Sequence, residues 1–472
     1  MARLNVKLLA KYFSTATKVK PYDEIPTLPK WPILGHAYLF FPNGKYKLDR
    51  LGDAILDLSE SLGNIFKLNL NGSDLVVSLN PDDARSMYAA EGKLPFRPSF
   101  PALAHYRKKT FGSIGVVPGN GEEWLHYRKA VLPLLKGNIV AAYADDHKMI
   151  SSRFVNYIRR NRGSNKEFRD VFNHLLKFAG EATSVTCPGV LFECLDETLD
   201  GSDVSNEITK ASVNFMEGMY GTLVEPPVWK IWKTKSYKKL EQSHTVIHRL
   251  IADGIEKTKQ DLKNNPNKHP FMVSLFENAT LTENEVLVLA MEVFLGGLDA
   301  TPTTLAMALH YLSQNPEAQA RAFSEVSTQN QLRYVEACLK ETLRMAPSAG
   351  ASSRYLAEEA ILSGYLVPAN TLVAVFSPIT SRDEKYFHSP MEFIPERWFR
   401  ENKDKRHPFA SIPFGFGARV CPGRHLVNQE MLILLTEILR NFKLDSNNGQ
   451  VGMIHRMNRI PDQEINIFFT DR

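Results

Sequence analysis

Apolar positions recur at intervals of three and four through most of residues 122–345, with short breaks. That is the period of helices that each bury one face. Thr282-x-x-Glu285 is a capping-box signature at the head of the most apolar run, which ends before Pro316. A helix over 282–315 would be about 50 Å long at 1.5 Å per residue, enough to cross the molecule. Residues 63–79 (GNIFKLNLNGSDLVVSL) instead read as two β-rich runs about an Asn71-Gly72 turn, a hairpin. Residues 346–420 are extended and turn-rich, and a helical pattern resumes over 425–440. Pro21, Pro26, Pro29, Pro32 and Gly35 punctuate a stiff lead-in that admits neither regular helix nor central strand. With no repeat and no low-complexity linker, the pattern predicts one large, mainly α domain with a minor β part.

Composition narrows the class. Of 472 residues 43% are hydrophobic and 23% charged, which supports a large core and excludes disorder. The four cysteines (Cys187, Cys194, Cys338, Cys421) include no C-x-x-C pair, which argues against a structural zinc site and excludes a disulfide framework. The formal net charge is 57 − 52 = +5. Residues 1–20 hold Arg3, Lys7, Lys11, Lys18 and Lys20 and no acid, so the body balances at 52 − 52 = 0 and gives no reason to expect nucleic acid. Leu4 and Leu8 alternate with Lys7 and Lys11 at i, i+4 spacing, and Ser14, Thr15 and Thr17 follow. A basic, acid-free, hydroxylated and amphipathic segment reads as a mitochondrial transit peptide over 1–20, ahead of a body over 21–472.

The chemistry concentrates in Phe414-Gly415-Phe416-Gly417-Ala418-Arg419-Val420-Cys421-Pro422-Gly423, directly before the 425–440 helix. Val420 and the lack of a βαβ context remove a dinucleotide-loop reading. What remains is a cysteine at the positive end of a helix, among glycines and beside Arg419, features expected to depress a thiol pKa. Such a thiolate suits an axial ligand to haem iron.

The loop resembles the haem-binding signature of the cytochrome P-450 superfamily, Phe-x-x-Gly-x-Arg-x-Cys-x-Gly, at Phe414, Gly417, Arg419, Cys421 and Gly423. Five fixed positions match by chance in such a length with probability on the order of 10⁻⁴. The resemblance implies haem b with Cys421 as the metal ligand. Gly296-Gly297-Leu298-Asp299-Ala300-Thr301 resembles the family's oxygen-binding motif on its central helix, with Gly296 and Gly297 beside the cofactor and Asp299 and Thr301 catalytic. Glu341-x-x-Arg344 and Arg397 in Pro-Glu-Arg-Trp resemble its structural triad. Trp124 and Arg128, with Arg354 and Arg419, match its haem-propionate positions.

One departure concerns the residue after the acid, usually threonine and here Ala300, which leaves Thr301 to supply a hydroxyl. The presequence points to the mitochondrial branch, which implies a peripheral protein on the matrix side of the inner membrane. Its electrons would come from a ferredoxin of the adrenodoxin type and an NADPH-dependent reductase, docking at Lys340 and Arg424. Glu336 and His425 stand where that branch usually has cations. Residues 224–232 (VEPPVWKIW) mix aromatics with cations and suggest peripheral membrane contact. Within the branch, 121–126 (GEEWLH), 354–356 (RYL) and a short link from Phe323 to Glu341 resemble the arthropod Shadow-type ecdysteroid 2-hydroxylases, which convert 2-deoxyecdysone to ecdysone. Residues 96–117, 208–224 and 348–353 are expected to line a largely apolar pocket with few charges. Such a pocket suits a hydrophobic small molecule: a sterol, fatty acid or xenobiotic. A haem-thiolate isomerase or lyase needing no external electrons is the alternative enzyme, and a non-catalytic haem protein the alternative outside catalysis.

Overall fold

Thr282 forms the expected capping box in the computed structural model, which describes residues 19–70, 72–195, 203–328 and 331–472. Its Oγ1 accepts from the Glu285 N–H at 3.3 Å, and Glu285 Oε2 accepts from the Thr282 N–H at 2.8 Å. These bonds satisfy two donors that a helix start otherwise leaves open. The central helix they open, Glu283–Gln314, continues through Pro302. By length and composition it could span a bilayer, yet 67% of its most apolar window is buried inside the molecule. It is a core helix.

Around it pack Val171–Thr186, Arg333–Met345 and the cysteine-loop helix Arg424–Asn441, which begins one residue before the expected start. Leu305, Leu309 and Leu312 of the central helix meet Leu175 and Phe178 on one side and Leu434, Leu435 and Ile438 on another, all fully buried. A second cluster joins the first half of the central helix to Asp203–Val224 and Lys235–Asn264. The middle of the central helix, between Glu292 and Thr304, borders the main cavity.

The β part is small. Ile65–Asn69 and Asp74–Ser78 form the expected hairpin, with Asn69 opposite Asp74; Asn71 lies outside the described residues. Leu372–Val375 adds in parallel and Ser352–Tyr355 antiparallel beyond it, so Arg354 is carried on a sheet strand. Residues 1–18 of the expected presequence lie outside the described residues. Lys20 belongs to the folded body: its N–H donates to the Gly364 carbonyl at 2.9 Å and its own carbonyl accepts from Leu366.

The triad expected from sequence is assembled and dry. Glu341 takes both Nε and Nη2 of Arg344 at 2.9 and 2.8 Å, Arg397 Nε at 3.0 Å and the Trp398 indole N–H at 2.9 Å. Arg344 also donates to the carbonyls of Ser381, Pro390 and Glu392. This ties the Arg333–Met345 helix to the segment leading into the cysteine loop. Removing one member of a buried charge cluster leaves the others uncompensated, at a cost of about 3–5 kcal/mol. Glu341→Gln is therefore expected to lower the midpoint of urea unfolding by that equivalent, and a midpoint within experimental error of the parent would show that the cluster is not a structural lock.

Candidate active site

A cavity of about 490 Å³ is bordered by both chemistry-bearing motifs, Gly296 and Asp299–Thr301 from the central helix and Phe414, Gly415, Arg419, Cys421 and Pro422 from the cysteine loop. All three segments expected to line a pocket contribute, through Leu103 and Val117, Phe215 and Met219, and Ser348 and Ser353. The wall is more highly charged than expected, because Arg97, Arg107 and Glu292 also reach it.

The cysteine loop is shaped by two left-handed glycines, Gly415 (φ 72°) and Gly417 (φ 74°). A Cβ on Gly417 would stand 2.2 Å from a carboxylate oxygen of Glu91, which accepts from the Ala418 N–H. Cys421 closes the loop by donating its N–H to the Phe414 carbonyl at 2.9 Å. Gly417 and Gly423 therefore shape the loop and the helix start, and neither borders the cavity. The expected depression of the Cys421 pKa does not hold for the protein alone. Burial pushes the thiol up, against the N–H groups of Gly423 and Arg424 and the cations Arg128 and Arg424, which pull it down. A metal cation at the sulfur would reverse that balance.

Four guanidinium groups share one side of the cavity: Arg97, Arg128, Arg354 and Arg419. Arg354 pairs with Glu91 at 2.7 Å, Arg128 donates to the Val420 carbonyl at 2.7 Å, and Arg419 donates to Pro95, Gly119 and Asn120 while lying 4.3 Å from the Trp124 ring centroid. Burial, then repulsion from Arg354 and Arg128, pulls Arg97 down to about 10. Burial, then repulsion from Arg97, Arg354 and Arg128, pulls Arg419 down to about 9. The Nε of Arg97 is buried without a partner. A cluster this rich in cations, with Glu91 as its paired carboxylate and Glu292 already committed to Arg107, fits a ligand carrying anionic groups. The two propionates of haem would supply that charge, and Cys421 on the same cavity would supply the sulfur ligand. The residues fit the group.

Gly296 borders the cavity with open space where a Cβ would stand, whereas Gly297 turns away. A Cβ there would lie 2.1 Å from Thr183 Oγ1, so Gly297 serves the packing of Val171–Thr186. Asp299 is enclosed by the protein but open to the cavity, and burial raises its carboxyl to about 7 against one opposing hydrogen bond from Asn458. Thr301 also borders the cavity, and its buried hydroxyl has no partner among the described residues.

Lys340 and Arg424 are both exposed, but Lys340 Nζ lies 3.5 Å from Glu336, which offsets its charge. Of the two aromatics at 224–232, Trp232 is 61% exposed, beside Ile231 at 81%, while Trp229 is buried and stacked on Tyr237. Sequence reasoning missed Glu91 and Asn458 and gave Arg97 no individual role. Glu91 meets Arg354 across 263 residues and Asn458 meets Asp299 across 159, so no local spacing could have found either.

The cytochrome P-450 family model matches residues 26–464. A probable cytochrome P-450 49a1 of Drosophila melanogaster is 31% identical over 97% of this chain and 84% of its own length. The probable cytochrome P-450 12a5, mitochondrial, of the same organism is 28% identical over 96% and 92%, and cytochrome P-450 302a1, mitochondrial, 28% over 91% and 90%. Among solved structures, the heme domain of a cytochrome P-450DA mutant superposes with a TM-score of 0.79 at 18% identity, covering 95% of this chain and 98% of that one. That match carries the fold, and the family match carries the chemistry. The chain belongs to the cytochrome P-450 family: it is a monooxygenase whose haem is held by a cysteine thiolate.

Proposed function

We propose that this monooxygenase hydroxylates a steroid, and specifically that it performs ecdysteroid C2 hydroxylation, converting 2-deoxyecdysone to ecdysone. The reaction balances as RH + O₂ + 2e⁻ + 2H⁺ → ROH + H₂O. Haem, bound through Cys421 and held by Trp124, Arg128, Arg354 and Arg419 together with Arg97, supplies the oxygen-activating chemistry. The observation that carries the reading is a cavity that joins apolar walls (Leu103, Phe215, Met219, Leu295) to a few polar groups (Ser348, Ser353). That mixture suits a rigid, polyhydroxylated hydrocarbon better than a fatty acid, whose chain would leave those polar groups unpaired.

Asp299 and Thr301 bring protons to the oxygen. A carboxyl held near 7 by burial exchanges protons readily at neutral pH, and the unpartnered Thr301 hydroxyl stands in for the one missing at Ala300. Retention of this acid favours the electron-fed reaction over a haem-thiolate isomerase or lyase. Two relatives are named as mitochondrial. Together with the basic, acid-free residues 1–20, this supports a transit peptide, a matrix-side location and a ferredoxin of the adrenodoxin type with its NADPH-dependent reductase. The exposed Ile231 and Trp232, with the lysines beside them, support peripheral membrane contact.

Incubation of the reconstituted enzyme with 2-deoxyecdysone and a panel of sterols and fatty acids is expected to give a mass gain of one oxygen at C2 of the ecdysteroid. Turnover of a fatty acid alone would remove the steroid reading. Lys340→Glu and Arg424→Glu are each expected to raise KM for ferredoxin without altering the substrate-induced spectral shift, Lys340 by less because Glu336 already offsets it. An unchanged KM takes that residue out of the docking face.

A further inference from the structure

The hairpin that closes one side of the cavity pairs Met453–His455 with Arg459–Pro461 and turns through Arg456, Met457 and Asn458. The turn is short and closed by the Arg456 N–H donating to the Asn458 carbonyl at 2.8 Å. Its flanks are anchored on three sides. The Arg459 N–H donates to the Ser348 carbonyl at 2.7 Å, and its Nη1 to the Pro347 carbonyl at 3.1 Å. Arg456 reaches Asp49 at 3.6 Å and lies 5.9 Å from the Tyr220 ring centroid. His455 packs against the backbone at Gly350, where a Cβ would approach its ring to 2.7 Å. The tip is thereby fixed relative to the central helix, and from it Asn458 Nδ2 donates to Oδ2 of Asp299.

That bond is the one hydrogen bond recorded for the Asp299 side chain among the described residues. A carboxyl on a helix has several χ1 and χ2 settings, and without a partner it would sample those that turn it from the cavity. We propose that Asn458 is a positioning residue for this reaction: it holds the Asp299 carboxyl in the orientation from which protons reach the oxygen, so that O₂ leaves as hydroxylated product and water and not as peroxide. The inference rests on the reading of Asp299 as the proton-delivering acid. When delivery is mistimed, the same electrons and protons give O₂ + 2e⁻ + 2H⁺ → H₂O₂, so the fault appears as peroxide released per NADPH consumed.

The test compares Asn458→Leu, Asn458→Gln, Asp299→Asn and the Asp299→Asn/Asn458→Leu double variant as holoenzymes with ferredoxin and reductase. Product and peroxide are each measured per NADPH, and substrate affinity from the spectral titration. Asn458→Leu is expected to lower product per NADPH about tenfold, with a matching rise in peroxide and substrate affinity held within about twofold. Asn458→Gln, which keeps the amide donor, is expected to recover part of the loss, and the double variant to be no worse than Asp299→Asn. If Asp299→Asn uncouples the enzyme while Asn458→Leu does not, or if the two losses add, the positioning role is overturned and the proton-delivery reading stands. A loss of substrate affinity in Asn458→Leu that accounts for the fall in product would likewise overturn it, making Asn458 a substrate contact. If Asp299→Asn stays coupled, the proton-delivery reading fails and takes this role with it.

Discussion

Repulsion among buried cations governs this molecule's central cavity. Arg97, Arg128, Arg354 and Arg419 converge there with Glu91 as their paired carboxylate. Burial and mutual repulsion draw two of them well below the ordinary guanidine range. The chain brings them together through elements far apart in sequence: a loop, a helix, a sheet strand and the cysteine loop. Such a cluster costs stability until an anion occupies it. The four guanidinium groups would pair with a cofactor carrying two carboxylates, and a metal bound at Cys421 would offset the adverse burial of the thiol. Binding of such a group to the folded site would add to its stability by mass action.

The rest of the fold keeps that site in register. The Glu341 cluster fixes the Arg333–Met345 helix to the segment before the cysteine loop, using a carboxylate whose two oxygens are both filled by donors. Close contact at Gly297 seats the central helix on Val171–Thr186, and the open space at Gly296 faces the cavity. Adjacent glycines thus divide two tasks, packing and access.

What could be read in the sequence was local. The capping box at Thr282, the hairpin about residues 69–74, the cysteine loop and the Glu341–Arg344 pair each sit within a few residues, and each forms. What could not be read depends on distance along the chain. Asn458 meets Asp299 across 159 residues and Arg107 meets Glu292 across 185, and no period or spacing announces either. The thiol's balance was misjudged for a related reason: helix end and glycines are visible in the sequence, whereas burial, which outweighs them, emerges when the loop packs.

The proposed site depends on the Cys421 sulfur as the ligand that would hold the haem iron. The most direct measurement is the carbon-monoxide difference spectrum of the reduced holoprotein beside that of Cys421→Ser. Thiolate ligation predicts the strongly red-shifted Soret band in the parent and its loss in the serine variant. Survival of that band in Cys421→Ser would contradict the assignment.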